Sequence, residues 1–261
     1  MKIITFLTDF GSNSSYVSQM KGVALSITDA KIVDITHEIS SHNIREGAFV
    51  LRSSVPFFPA GSVHVAVVDP GVGTERKGIV IATSSQILVG PDNGLLIPAA
   101  RNLGNFTIYE IKNPRFMRSS VSSTFHGRDI FSPVAAHILN GLLFEQIGPI
   151  VKDFVDLDFG DFEISDKSAK GKVLYVDSFG NVITNIDGLK LSQILKYDTN
   201  VTIFIGTNNF KAKFVKSYNF VKKAKILATI GSSNLLEIAI NQGNAAKKLV
   251  VKPKDDVKIL F

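Results

Sequence analysis

The chain has 261 residues, 45% hydrophobic and 20% charged, with a formal net charge of +6 and no cysteine. That length suits one large globular domain or two smaller ones, and the missing cysteines exclude disulfides, thiolate zinc sites and cysteine nucleophiles. No apolar run approaches the ~18 residues of a membrane span, and much of the basic excess (Lys211, Lys213, Lys216, Lys222, Lys223, Lys225) follows alternating strand-like sequence, a solvated sheet face rather than a nucleic-acid footprint.

Residues 3–8 form an apolar run ending on Asp9-Phe10-Gly11. It is too short, and its end too acidic, for a signal peptide, so a first strand and a cytoplasmic protein are expected. From Ser14 to Ile27, the spacing of Val17, Met20, Val23, Ala24 and Ile27 predicts a helix. Asp9 then sits between a strand end and a helix start. Residues 31–35 read as a second strand, and Ser41 to Val55 as a helix halted by Pro56 and Pro59. The strand Val63–Val68 runs into Asp69-Pro-Gly-Val-Gly73 and, soon after, Arg76. Strands at 78–83 and 86–90, the turn Gly90-Pro-Asp-Asn-Gly94, a short helix near 95–101 and a strand at 106–111 follow. The polar cluster Thr124-Phe-His-Gly-Arg-Asp129 precedes a helix with Ile130, Val134, Ala135 and Ile138 on one face.

Alternating strands and helices predict an α/β N-terminal domain, a mostly parallel sheet flanked by helices, over residues 1–158. Residues 150–170 are acidic and irregular and mark a boundary. Beyond them come short alternating stretches at 171–176, 181–186, 200–206, 209–216, 225–230 and 235–240. They predict a smaller all-β C-terminal domain over 165–261, of a size for a small barrel.

A buried strand that delivers a carboxylate to its C-terminal end is how open α/β sheets present ligand sites. Across the turn, Asp69 and Arg76 can pair simply to stiffen it. His126 can be a cap or a core residue, and Asp129 can pair with Arg128 or favour its helix's first turn. If the fold brings His126 to the same sheet edge, the three side chains can hold and polarise a water. No Gly-x-Ser-x-Gly elbow, zinc-spaced histidine pair, P-loop or dinucleotide fingerprint is present. Asp177 and Asn181 flank a glycine turn that also reads as a plain hairpin, and Ser232 alone reads as a turn residue.

Together, Leu7-Thr-Asp-Phe-Gly11, Met20-Lys-Gly22, Val68-Asp-Pro-Gly-Val-Gly73, Gly90-Pro-Asp-Asn-Gly94, Phe125-His-Gly-Arg-Asp129, Phe179-Gly-Asn-Val-Ile-Thr-Asn185 and Leu236-Glu-Ile-Ala239 resemble the S-adenosylmethionine (SAM) hydroxide adenosyltransferases, or SAM hydrolases, relatives of the fluorinases and chlorinases. The resemblance runs in order from residue 3 to about residue 246. It implies attack of an activated water on C5′ of SAM, giving adenosine and L-methionine without metal or cofactor. It implies catalytic roles for Asp69, Arg76 and His126, a ribose-holding Asp9, and methionine and adenine contacts from Asp177, Asn181, Ser232 and Glu237. It further implies a cytoplasmic homotrimer with sites at subunit interfaces, and no nucleic-acid or membrane partner. Two positions depart from the pattern: Ser14 replaces a commonly acidic residue, and Ser233-Asn234 replace a glycine-containing turn. The halogenase branch lacks the Asp-Arg-His set and carries an added loop, so hydrolysis is preferred. A non-catalytic adenosine- or SAM-binding protein is the alternative, ahead of a halogenase.

Overall fold

The computed structural model describes residues 1–261. The chain divides into two compact units, Met1–Asp158 and Phe159–Phe261.

The first unit runs β1 (Ile3–Thr8), α1 (Tyr16–Leu25), β2 (Lys31–Thr36), α2 (Ile44–Ser54), β3 (Val63–Val67), β4 (Gly78–Thr83), β5 (Ile87–Pro91), α3 (Ile97–Asn102), β6 (Phe106–Glu110), α4 (Ser132–Leu139) and α5 (Phe144–Ile147). Its six strands lie in the order β2-β1-β3-β5-β4-β6. The pairs β2–β1, β1–β3 and β3–β5 are parallel, whereas β4 is antiparallel to both neighbours. Every residue of β1 and β3 is buried, as expected of strands covered on both faces. On one face Ile4, Phe6, Val65, Val67, Val80 and Val89 form a core with Met20 and Ala24 of α1 and Val134 and Ala135 of α4. Helix α2 packs on β1 and against α3. It starts where Asn43 accepts from the Glu46 N–H at 3.2 Å and donates to the Glu46 carboxylate at 2.9 Å, a reciprocal cap. It stops one residue before Pro56, where a 3₁₀ turn begins.

This strand order places the site. The connection from β1 leads outward to β2, and the chain then returns to add β3 on the other side of β1. Between β1 and β3 the winding reverses, and the C-terminal ends of such strands open a crevice. Thr8 of β1 is level with Val67 of β3. Asp9 and Asp69 therefore leave the sheet at neighbouring strand ends.

The second unit contains β7 (Glu163–Ser165), β8 (Ser168–Val176), β9 (Val182–Asp187), α6 (Gly188–Ile194), β10 (Asn200–Ile205), β11 (Asn208–Phe214), β12 (Ile226–Ile230), β13 (Leu235–Ile240), α7 (Ala245–Leu249) and β14 (Asp256–Leu260). The order β14-β10-β11-β12-β13-β9-β8 closes on itself where β14 pairs with β8, from Asp256↔Lys172 to Leu260↔Ser168. A closed barrel leaves those strands without free edges. Its interior holds Val173, Val182, Ile186, Ile203, Phe214, Leu236, Ile238 and Ile259. The unit is not simply all-β. Helices α6 and α7 add Leu191, Ala245 and Leu249 to that interior, and β11 and β12 run parallel through Lys213↔Leu227 and Phe214↔Ala228. Both helices are short, seven and five residues, too brief for a helical period to stand out from strand alternation.

Candidate functional site

Beyond β3 the chain turns through Asp69 to Thr74, with Thr74 Oγ1 donating to the Gly71 carbonyl at 2.7 Å. Gly73 adopts φ +78°, and a Cβ there would lie 2.2 Å from the Ser123 carbonyl oxygen. Only glycine permits that approach. The turn is thereby seated on the segment that carries His126. Arg76 then reaches back: its Nε donates to both Asp69 oxygens at 3.0 Å, and its Nη2 to Asp69 Oδ2 at 2.5 Å. The two side chains are 11% and 5% exposed, so this is a buried, bidentate pair. The guanidinium also stands over the Phe131 ring, 5.2 Å from its centroid.

Arg76 Nη2 makes a second contact, 2.9 Å from His126 Nδ1. A guanidinium only donates, so Nδ1 accepts and the neutral ring carries its proton on Nε2. Burial first, and then the Arg76 charge, hold the His126 pKa below its ordinary 6.5, while Asp69 and Asp129 pull the other way. With the contacts to Asp69, His126 and the Lys77 carbonyl (3.2 Å) made, one Nη1 hydrogen remains for a further acceptor. The sequence left Asp69 and Arg76 open between stiffening the turn and handling a water. The fold does bring His126 to the same sheet edge.

The residues that follow His126 are tied to their surroundings. Asp129, fully buried, accepts from Arg128 Nε at 2.7 Å and Nη2 at 2.9 Å, from the Ser122 N–H at 2.9 Å and from Arg118 at 3.3 Å. Burial pushes its carboxyl up, but the Arg128 hydrogen bonds and the other donors leave it below the ordinary range. Arg128 also donates to Gln19 of α1 at 2.9 Å and covers the Phe125 ring. Both readings of Asp129 are met: it pairs with Arg128, and it lies in the first turn of the π-helix Gly127–Phe131.

Asp9 leaves β1 with its carboxylate accepting the His42 N–H at 2.8 Å, and it makes no hydrogen bond to Asp69, Arg76 or His126. The residue before it, Thr8, hydrogen-bonds His37 Nδ1 at 2.9 Å, and His37 Nε2 lies 3.1 Å from Asp34. Ser14, at one departing position, donates to the Phe10 carbonyl at 3.1 Å and so closes the turn after Asp9.

In the second unit, Asp177, Asn181, Ser232 and Glu237 line one cavity of about 900 Å³, with Phe179, Tyr218 and Thr229 among the other walls. The turn between β8 and β9 joins antiparallel strands as a hairpin and is closed by its own side chains. Asp177 Oδ1 accepts the Phe179 and Asn181 N–H groups at 2.9 and 2.8 Å, and Oδ2 accepts Asn181 Nδ2 at 2.9 Å. Glu237, 6% exposed, accepts the Tyr218 hydroxyl at 2.7 Å. Its other oxygen lies 2.5 Å from where a Cβ on Gly231 would stand. Burial chiefly raises the Glu237 pKa; Tyr218 opposes the rise and the Asp177 charge adds to it. Directly across the β12–β13 ladder, Thr229 presents a buried hydroxyl that has no hydrogen-bond partner.

Sequence reasoning missed Tyr218 and Thr229. Tyr218 follows β11 in a 3₁₀ turn, and Thr229 is a common strand residue; only the Thr229↔Glu237 register gives it meaning. No group of three or more His, Asp or Glu side chains is arranged to ligate a metal ion. No helix is long and apolar enough to cross a membrane.

The family model for the SAM hydroxide adenosyltransferase N-terminal domain matches residues 4–148, and that for the C-terminal domain matches residues 171–258. A protein of Methanocaldococcus jannaschii named (R)-S-adenosyl-L-methionine hydrolase is 44% identical, over 100% of this chain and 97% of its own. The crystal structure of an uncharacterized conserved protein from Thermotoga maritima superposes with a TM-score of 0.95 at 39% identity, covering 99% of this chain and 100% of that one. A fluorinase of Nocardia brasiliensis is 28% identical over 77% of each chain.

Proposed function

The chain belongs to the SAM hydroxide adenosyltransferase family, and on that premise we propose that it hydrolyses S-adenosyl-L-methionine to adenosine and L-methionine. Support comes from full-length relatives, 32–44% identical, named (R)-S-adenosyl-L-methionine hydrolase. The observation that carries the reading is the closed set Asp69–Arg76–His126, linked by contacts of 2.5 to 3.0 Å. Hydrolysis is preferred over halide transfer because this chain holds that set and is 32–44% identical to the named hydrolases against 24–28% to the fluorinases.

The sulfonium is already a good leaving group, so the protein must mainly hold a water in line with the C5′–S bond. The His126 Nε2–H and the remaining Arg76 N–H are donors, and they leave a water lone pair free to attack. The permanent charge of Arg76 favours hydroxide character on that oxygen. As the C5′–O bond forms, the C5′–S electron pair returns to sulfur. The water's proton is lost, giving adenosine, L-methionine and H⁺. Asp9 fixes the ribose hydroxyls; Asp177, Asn181, Ser232 and Glu237 hold the nucleoside and methionine parts. The reaction needs no cofactor or metal. A cationic substrate is not drawn by a chain of net charge +6, so these carboxylates supply the local attraction. The protein acts as a cytoplasmic homotrimer with sites at subunit interfaces, without nucleic-acid or membrane partners.

Incubation of purified protein with each sulfonium epimer of SAM, followed by chromatography, should show adenosine and methionine released one to one. Tight adenosine binding with no release from either epimer would replace this reading with that of a binding protein.

A further inference from the structure

The turn Gly90-Pro-Asp-Asn-Gly94 has no part in the chemistry above, yet it touches both feet of the turn that carries it. Asn93 Nδ2 donates to the Val68 carbonyl at 2.9 Å, one residue before Asp69. The Asp92 N–H donates to the Lys77 carbonyl at 2.9 Å, one residue after Arg76. That same Lys77 carbonyl accepts from Arg76 Nη1 at 3.2 Å. Two consecutive residues of one loop therefore bracket the segment from Asp69 to Arg76. The loop is itself fixed: Asn93 Oδ1 accepts the Leu95 N–H at 3.1 Å, and buried Asp92 accepts the Val155 N–H at 3.0 Å.

The bracket has a consequence for the Arg76–His126 contact. Arg76 meets His126 only if both ends of its turn are held where β3 and β4 leave them. At the Val68 end the loop's hydrogen bond comes from a side chain, Asn93; at the Lys77 end it comes from backbone that a side-chain change leaves in place. We propose that Asn93 is a positioning residue for the water-activating set: it fixes the Val68–Asp69 peptide so that Arg76 reaches Asp69 and His126 together. The proposal rests on the hydrolase reading for its kinetic arm and on geometry alone for its spectroscopic arm.

Asn113 supplies a matched control. Its Nδ2 donates to the Gln146 carbonyl at 2.8 Å and its Oδ1 accepts the Arg115 N–H at 3.1 Å, the same pair of bonds at an exposed position outside the site. The variants are Asn93→Ala, Asn93→Asp and Asn113→Ala in the full chain. Asn93→Asp keeps the acceptor for Leu95, loses the donor to Val68 and adds a negative charge, so it carries the kinetic arm if Asn93→Ala fails to fold, while the His126 titration is read in Asn93→Ala. Both Asn93 variants should lower kcat at least tenfold while KM for SAM and Kd for adenosine stay within twofold; Asn113→Ala should leave kcat within twofold. In parallel, the His126 ring proton is titrated by NMR. Release of Arg76 removes a charge that depresses the His126 pKa, so the midpoint should move upward in Asn93→Ala and stay put in Asn113→Ala. The proposal is overturned by an unmoved His126 midpoint, by kcat within twofold of wild type, or by equal losses at Asn93 and Asn113. If the wild-type protein releases nothing from SAM, the hydrolase reading fails and the NMR arm still decides for or against Asn93.

Discussion

Arg76 holds Asp69 and His126 at once, through the same nitrogen, at 2.5 and 2.9 Å. Both hydrogens of that nitrogen are committed, so the carboxylate and the imidazole are set relative to each other by one planar group. Lysine, a point donor on a flexible stem, cannot reproduce that geometry. Arg76→Lys should reduce kcat by two orders of magnitude or more, and Asp69→Ala and His126→Ala should abolish turnover. Adenosine affinity should change little in all three, as isothermal titration would show. Because the pair is buried, Asp69→Ala should also cost about 3–5 kcal/mol of stability, the usual penalty of stranding one partner. Wild-type turnover by Asp69→Ala and His126→Ala would make the trio structural.

The pH dependence of kcat/KM should report His126. Its pKa is below 6.5, so the ring is neutral and able to accept from Arg76 at neutral pH. Protonation replaces that hydrogen bond with two facing cations. Activity should hold as pH falls through 6.5 and decline only below it. A profile already half lost at pH 7 would contradict the assignment.

Within the barrel cavity, Thr229→Val keeps shape and removes the unmet hydroxyl. If a ligand completes that hydroxyl, KM should rise about tenfold, equivalent to ~1.4 kcal/mol, with kcat unaltered. Glu237→Gln should likewise act on KM, since Glu237 lines the same cavity. Unchanged KM in both variants would remove this wall from the substrate's surroundings.

His64 provides a stability test away from the site. It is fully buried, with Nδ1 2.7 Å from Thr5 Oγ1 and Nε2 3.0 Å from Gln86 Oε1, and burial lowers its pKa from 6.5 to about 4. Between those values the unfolded chain binds the proton that the folded chain refuses, so stability rises with pH through that window. The contribution is fully present above pH 6.5 and falls by roughly 3 kcal/mol as pH drops to 4. Urea unfolding at pH 7.5 and 4.5 should show the loss, and His64→Gln should reduce the difference.

Much of this arrangement was legible because the elements of the first unit are long and strongly patterned. The run Ile3–Thr8 and the spacing of Val17, Met20 and Ala24 have one reading each, and the structure forms both elements. The barrel's closing strand was not legible: Asp256 to Leu260 follows a loop holding Lys252, Pro253 and Lys254 and offers five residues, only two of them buried. Its role comes from pairing with β8 at long range, which no local pattern encodes. Thr229 acquired significance from a partner on another strand.

The approach of Gly73 to Ser123 is backbone to backbone, and no rotamer can relieve it. A methyl group at position 73 would have to push apart the two segments that carry Arg76 and His126. Position 73 is thus a closed door in the sequence space around this protein: any path through a larger residue there must first part the segments that carry Arg76 and His126.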